Sequence, residues 1–392
     1  MADISGTCRN EFLAVREAFE HNIDIGCDVG ASVAVLIDGE VVVDLWGGHV
    51  DASYTRLFQR DTIVQTFSTT KTMTALCALV LADRGELDLH APVAKYWPEF
   101  AAAGKADIEV RQLLGYTSGM AGWTEFIPVF DMYDLEKSTA MLAKQAPWWT
   151  PGTASGYHCF TIGHLVGEVV RRITGKSLGR FFADEIAGPL GAEFYIGTGE
   201  EHDHRVSLMI QGAPDNFRAN ALQSHALFNP RVTPQVTWSV EWRRAEVGGA
   251  NGHGNARGIA TAQSVLANGG AFGKRLMSEA GRQRVLELQS DGVDLVLGLP
   301  LRWGMGYALN SPFPDLDFGP RIAFWAGNGG SMSFVDLDKR MAVGYAPNRW
   351  IRGNFELARS RNILAAVYQS LSVTAQRPRS KEMTSFAASG AV

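Results

Sequence analysis

The stretch Ala31-Ser-Val-Ala-Val-Leu-Ile37, Asp38-Gly39, Glu40-Val-Val-Val-Asp-Leu-Trp46 sets two apolar, β-branched runs on either side of an Asp-Gly pair. A two-residue turn needs positive φ at both central positions, and Asp-Gly is among the pairs that tolerate it, so the stretch predicts an antiparallel hairpin. Before it, Asn10 to His21 has helical spacing, with Phe12, Val15 and Phe19 on one face. At the far end of the chain, Ile322–Ala326, Ser331–Asp336 and Met341–Pro347 are short apolar or alternating runs separated by turn residues, and a last helix is expected over Phe355–Ser370.

Between these ends the pattern is helical. Ser68 to Arg84 keeps helical spacing and stops at Gly85; Val110–Leu114 stops before Tyr116-Thr-Ser-Gly119; Phe160–Thr174 is closed by Gly175. Leu178–Ile186 and Asn255–Asn268 read the same way, the latter ending at Gly269-Gly270, whereas His202–Glu246 has no clean period and is expected to be loop. Strands at both ends around a helical middle predict an α+β fold, in which one antiparallel sheet is completed by both termini and flanked by helices, with a mostly helical domain inserted. The expected boundaries are 1–65 and 255–371 for the sheet domain and 66–254 for the helical one, with a polar tail over 372–392 expected to be disordered.

Composition narrows the function. The 392 residues are 46% hydrophobic and 20% charged, with a net charge of −5, ordinary values for a globular enzyme. Lysines and arginines are scattered rather than striped, which argues against nucleic acid as a partner. The amino end, MADISGTCRNEF, lacks the basic-then-apolar pattern of a secretory signal, and no apolar run approaches a membrane span. Cys8, Cys27, Cys77 and Cys159 lie far apart without a CxxC spacing, so free thiols in a cytoplasmic protein are expected. No metal or other cofactor is expected: His202-Asp-His204 and Gly252-His253-Gly254 read better as a solvated loop and a backbone turn than as ligand sets. GxGxxG and GxxxxGK[ST] are both missing.

Three segments can carry chemistry. In Thr66-Phe-Ser68-Thr-Thr-Lys71-Thr-Met, a serine and a lysine three apart at a helix start share one face, and a neutral lysine there can serve as base for the weakly nucleophilic hydroxyl. Read alone, the same four residues describe any serine-capped helix with an exposed lysine. Gly156-Tyr157-His158-Cys159 supplies a phenol that, beside Lys71, would lose its proton more readily and pass it between Ser68 and a leaving alcohol; a packed aromatic is the alternative. Phe324-Trp325-Ala326-Gly327-Asn328-Gly329-Gly330-Ser331 offers a strand edge where Gly327 lets substrate approach, and where the amides of Asn328 and Ser68 would form an oxyanion hole; a glycine-rich turn is the alternative.

These segments, in this order, resemble the serine β-lactamase and penicillin-binding-protein superfamily over nearly the whole chain. Ser68-Thr-Thr-Lys71 followed by Leu81-Ala-Asp-Arg-Gly-Glu-Leu-Asp-Leu89 and Val93-Ala-Lys-Tyr-Trp-Pro-Glu-Phe100 is similar to its nucleophile helix and the segment after it. Ile108-Glu-Val-Arg-Gln-Leu-Leu-Gly-Tyr-Thr-Ser-Gly119, and Pro151-Gly152 with Tyr157 and Leu165-Val-Gly-Glu-Val-Val170, match the stretches that follow. Within the superfamily the chain looks most like the class VIII carboxylesterases. That resemblance implies an acylated Ser68, acid–base work shared by Lys71 and Tyr157, and deacylation by water.

Two departures bear on substrate. The tyrosine motif is Tyr-His-Cys where penicillin-recognising members usually carry Tyr-x-Asn or Tyr-x-Ser, and the third motif is Trp325-Ala-Gly327 where they carry Lys-Thr-Gly. A tryptophan offers apolar surface and one neutral donor, so the charge-assisted contact a lysine would make with the carboxylate of a β-lactam is lost, a weakening of roughly 1.5–3 kcal/mol. A short-chain ester is therefore the expected substrate. A β-lactamase, a D-amino-acid peptidase, an acyltransferase and a non-catalytic binding protein are the alternatives on the same fold. Trp123, Phe126, Trp148 and Trp238, in the loops around the site, are the candidates for the acyl or alcohol pocket.

Overall fold

The computed structural model describes residues 3–212, 218–309, 316, 318–351 and 354–376. Gly30–Ile37 and Glu40–Gly48 form the expected hairpin, with Asp38 and Gly39 at φ 54° and 78°, both in the left-handed region that a two-residue turn requires. The hairpin lies inside a six-stranded antiparallel sheet in the order Ile4–Cys8, Glu40–Gly48, Gly30–Ile37, Met341–Pro347, Met332–Asp336, Ile322–Ala326. The two ends of the chain thus meet in the middle of the sheet, where Val35 pairs with Val343. The edge strand Ile4–Cys8 has no counterpart in the sequence reading: it buries only Ile4, so it shows no alternation.

The faces of the sheet follow from the pleat. Gly344 faces the helix Ala256–Asn268, so closely that a Cβ there would stand 2.2 Å from the Ala256 carbonyl oxygen. The next residue, Tyr345, points to the opposite face, where the helices Leu13–Asp24 and Asn354–Gln376 pack together. There the Tyr345 hydroxyl meets Asp28, and Asp28 pairs with Arg359 at 2.5 Å, both side chains fully buried.

The helical part is built around Thr70–Asp83, whose residues from Thr70 to Ala82 are all buried. A helix apolar nearly all round belongs in the middle of a fold, and this one packs against Thr161–Thr174, Leu178–Phe182 and Ala256–Asn268.

Two expectations need correction. The segment read as loop from His202 to Glu246 contains three helices, Ala221–Phe228, Pro234–Trp238 and Val240–Arg244, each started by a side-chain cap from Asn220, Thr233 or Ser239. The last helix runs past Ser370 to Gln376, so 372–376 is helix rather than tail, and 377–392 lies outside the described residues. All four cysteines are free thiols. Among the described residues no helix is long and apolar enough to cross a membrane.

Candidate active site

The turn that bears Ser68 is braced by several hydrogen bonds. Phe67 takes a left-handed conformation, φ 45°, which turns the chain into a short 3-10 helix over Phe67–Thr69 and then into Thr70–Asp83. Thr66 donates its N–H and hydroxyl to the Gly252 carbonyl, and Gly252 donates its own N–H to Thr70 Oγ1 at 2.8 Å. From the late hairpin, Ser331 Oγ donates to the Thr66 carbonyl at 2.6 Å and accepts from Thr69 Oγ1 at 2.9 Å. Ser68 is the partly exposed residue in this turn, between buried neighbours on both sides.

Lys71 Nζ lies 3.0 Å from Ser68 Oγ and also donates to the carbonyls of Cys159 at 2.7 Å and Gly249 at 2.5 Å. A neutral amine has two N–H bonds and one lone pair. The two carbonyls can only accept, so they take the N–H bonds and leave the lone pair facing the serine hydroxyl. Burial of the side chain pushes the ammonium down to about 8, which brings the neutral form into the working range.

This arrangement depends on a close approach of backbone to backbone. Gly163, in the first turn of Thr161–Thr174, lies against Gly248 and Gly249, where a Cβ would come within 2.5 Å of the Gly249 nitrogen. Neither carbonyl partner of Lys71 was found in the sequence, because a main-chain oxygen carries no residue identity. The Gly248-Gly249 pair was the available signal.

Tyr157 stands over the lysine, with Nζ 4.5 Å from its ring centroid, and its hydroxyl interacts with Ser68 and accepts from Trp325 Nε1 at 3.0 Å. The expectation that this phenol ionises more readily is corrected here. Burial drives it well above the usual phenol range, and the hydrogen bonds with Ser68 and Trp325 only partly oppose that. Tyr157 rests as a neutral phenol.

His158 faces away. Its Nδ1 lies 2.6 Å from the Gly156 carbonyl, which fixes the proton there, and its Nε2 accepts from Ser118 Oγ at 2.7 Å; burial pushes the imidazole down to about 4. Cys159 contributes its carbonyl to Lys71, while burial raises its thiol.

The strand Ile322–Ala326 brings the third segment to the Ser68 turn. Gly327 packs on Thr66, where a Cβ would stand 2.0 Å from the carbonyl oxygen, and the exposed Asn328 occupies the turn closed by Gly330 N–H to Gly327 O at 2.9 Å. Arg359 reaches this turn from the C-terminal helix and donates to the Gly329 carbonyl. The Trp325 ring leans on Trp303 at 4.6 Å between centroids, and Trp303 stacks on Tyr157 at 6.2 Å and 13°. The indole N–H of Trp325 is taken up by the phenol rather than offered to a substrate.

The four loop aromatics divide. Trp123 is fully buried and donates Nε1 to the Ser138 carbonyl, so it is a core residue and not a pocket wall. Phe126 is 78% exposed. Trp148 donates to Thr124 Oγ1 and packs edge-on to His225. Trp238 donates to the Met209 carbonyl, and the Met209 side chain lies against Gly329, which puts this pair beside the third segment. His202 and His204 lie in a 3-10 turn whose Asp203 is tied to Arg243 and Arg244. No group of three or more metal-ligating side chains is gathered among the described residues.

The hydroxyl of Ser68, the amine of Lys71 and the phenol of Tyr157 thus meet at the seam between a sheet edge and a buried helix. The chain belongs to the Beta-lactamase family, whose model matches residues 16–368. It is 31% identical over 344 residues to the Esterase/beta-lactamase LipL of Mycobacterium tuberculosis, covering 82% of this chain and 77% of that protein. Among solved structures it is similar to a family VIII carboxylesterase, 43% identical with a TM-score of 0.89 over 94% of this chain and 100% of the other. A penicillin-binding protein homologue from Caulobacter crescentus is 37% identical, with a TM-score of 0.88 over 94% and 100%.

Proposed function

We propose that the chain is a serine carboxylesterase that hydrolyses short-chain, neutral acyl esters through a covalent acyl-Ser68 intermediate. The observation that carries this reading is the placement of Lys71 Nζ, 3.0 Å from Ser68 Oγ and held there by the carbonyls of Cys159 and Gly249, with burial favouring the neutral amine. Lys71 takes the Ser68 proton as Oγ attacks the ester carbonyl. The amides of Ser68 and Asn328 receive the oxyanion. As the C–O bond breaks, Tyr157 gives its proton to the leaving alcohol and is re-protonated by the Lys71 ammonium, with the Trp325 N–H steadying the phenol oxygen through the exchange. Water then attacks the acyl carbon, its proton returns through the same pair, and the carboxylic acid leaves.

Trp325 supports the choice of ester over β-lactam, since its ring offers apolar surface and its one donor is engaged. The esterase relatives point the same way. The test is turnover of p-nitrophenyl acetate and butyrate, with a fluorophosphonate probe followed by mass spectrometry. Adduct on Ser68 and abolished turnover in Ser68→Ala are expected. A Ser68→Ala protein that keeps wild-type rates would sink the reading, and nitrocefin cleaved faster than the esters would move it to a β-lactamase.

A further inference from the structure

We infer that Asp294, on the loop between the strands Ser290–Val293 and Pro300–Trp303, is a positioning residue that sets the tyrosine and its indole floor as one unit; this rests on the acid–base role given to Tyr157 above. Asp294 is fully buried, and its Oδ1 accepts from the main-chain N–H of Tyr157 at 3.0 Å, Val296 at 3.0 Å and Leu297 at 2.9 Å. Its Oδ2 accepts from Trp303 Nε1 at 3.2 Å. One carboxyl group therefore holds the backbone of Tyr157 and, through Trp303, the plane on which the Tyr157 ring is stacked.

Two further contacts make the unit specific. Leu295 N–H donates to the Ser155 carbonyl at 2.8 Å, so the loop is joined to the tyrosine segment on both sides of Gly156. Trp303 also packs on Trp325, whose N–H reaches the phenol oxygen at 3.0 Å. The hairpin is in turn fixed to the sheet, because Ala308 exchanges N–H···O bonds with Phe324 at 3.0 Å each. Position and tilt of the phenol are thus both set from Asp294, which touches none of the reacting atoms.

A group that acts through Tyr157 matters only while Tyr157 does its work. The test is a cycle of Asp294→Asn, Tyr157→Phe and the double variant, assayed with p-nitrophenyl butyrate. Asparagine keeps the size and one acceptor oxygen but turns an amide toward either the three backbone donors or the Trp303 donor. In the wild-type background Asp294→Asn is expected to lower kcat about 10-fold or more with KM within about 2-fold, and in the Tyr157→Phe background by less than about 2-fold. Equal losses in both backgrounds, or no loss in either, overturn the inference. Full activity in Tyr157→Phe alone would instead overturn the role of the tyrosine. Thermal unfolding is followed in parallel, and if Asp294→Asn shows no cooperative transition, Trp303→Phe, which keeps the stack and removes the donor, takes its place in the same cycle.

Discussion

In the proposed mechanism the charge state of the buried Lys71 amine governs the first step, so the rate should follow its titration. The base form is the neutral one. Below the value of about 8 most of the population is ammonium, and kcat/KM should fall roughly tenfold per pH unit; above it the rate should level off. A profile flat from pH 6 to 9 would contradict this. Lys71→Arg keeps a cation that does not deprotonate in this range, and a loss of about a thousandfold or more in kcat is expected. Phe67 is a second single-residue case. Its left-handed backbone costs roughly 1–2 kcal/mol, but its ring is buried against Trp350. Removing a buried phenyl ring costs about 3–5 kcal/mol. Phe67→Gly should therefore be destabilised by about 2 kcal/mol in urea unfolding, the packing loss outweighing the relief, and its kcat should drop because the Ser68 turn loses a wall.

Among elements, the helix Thr161–Thr174 shows how a packing distance becomes chemistry. Its first turn touches Gly248 and Gly249 through Gly163, and that contact places the Gly249 carbonyl on Lys71. Gly163→Ala should cost about 1–3 kcal/mol from overpacking and also lower kcat about tenfold or more, as the displaced carbonyl lets the amine turn away from Ser68; urea unfolding and p-nitrophenyl butyrate turnover read the two effects. The elements also differ in how openly the sequence announces them. The Asp38-Gly39 hairpin, the helix Val110–Leu114 and the strands Ile322–Ala326 and Met341–Pro347 were legible because each pairs a strong local signal with a clear apolar pattern. The helices between 221 and 244 span five to eight residues, too few turns for a period to emerge; their signals were the caps, Asn220 with Gln223, Thr233 before Pro234, and Ser239. In the candidate site, spacing pointed to Ser68 and Lys71, and the segment Gly156-Tyr157-His158-Cys159 together with the resemblance pointed to Tyr157. Asp294 and Trp303 escaped notice because they work through backbone amides and ring stacking from nearly 140 residues away in the chain, with no motif of their own.

For the molecule as a whole, the buried Arg359–Asp28 pair ties the last helix to the residues that precede the first hairpin. Arg359 also donates to the carbonyls of Cys27 at 3.1 Å, Arg349 at 2.9 Å and Gly329, so one guanidinium holds the sheet, the terminal helix and the turn beside Asn328. Arg359→Met would leave the Asp28 carboxyl and several carbonyls buried without their cation, and a loss of about 3–5 kcal/mol is expected, measured by urea unfolding monitored through tryptophan fluorescence.

The meeting of both chain ends inside one sheet has a consequence for synthesis. Ser68 and Lys71 leave the ribosome early, yet the strand that slots beside Gly30–Ile37, the turn bearing Asn328 and the arginine that braces it are all translated in the closing stretch. A nascent chain halted before Ile322 carries the proposed nucleophile but lacks the turn to which the oxyanion role is assigned above. Esterase activity is therefore expected only once the strands from Ile322 onward have been made.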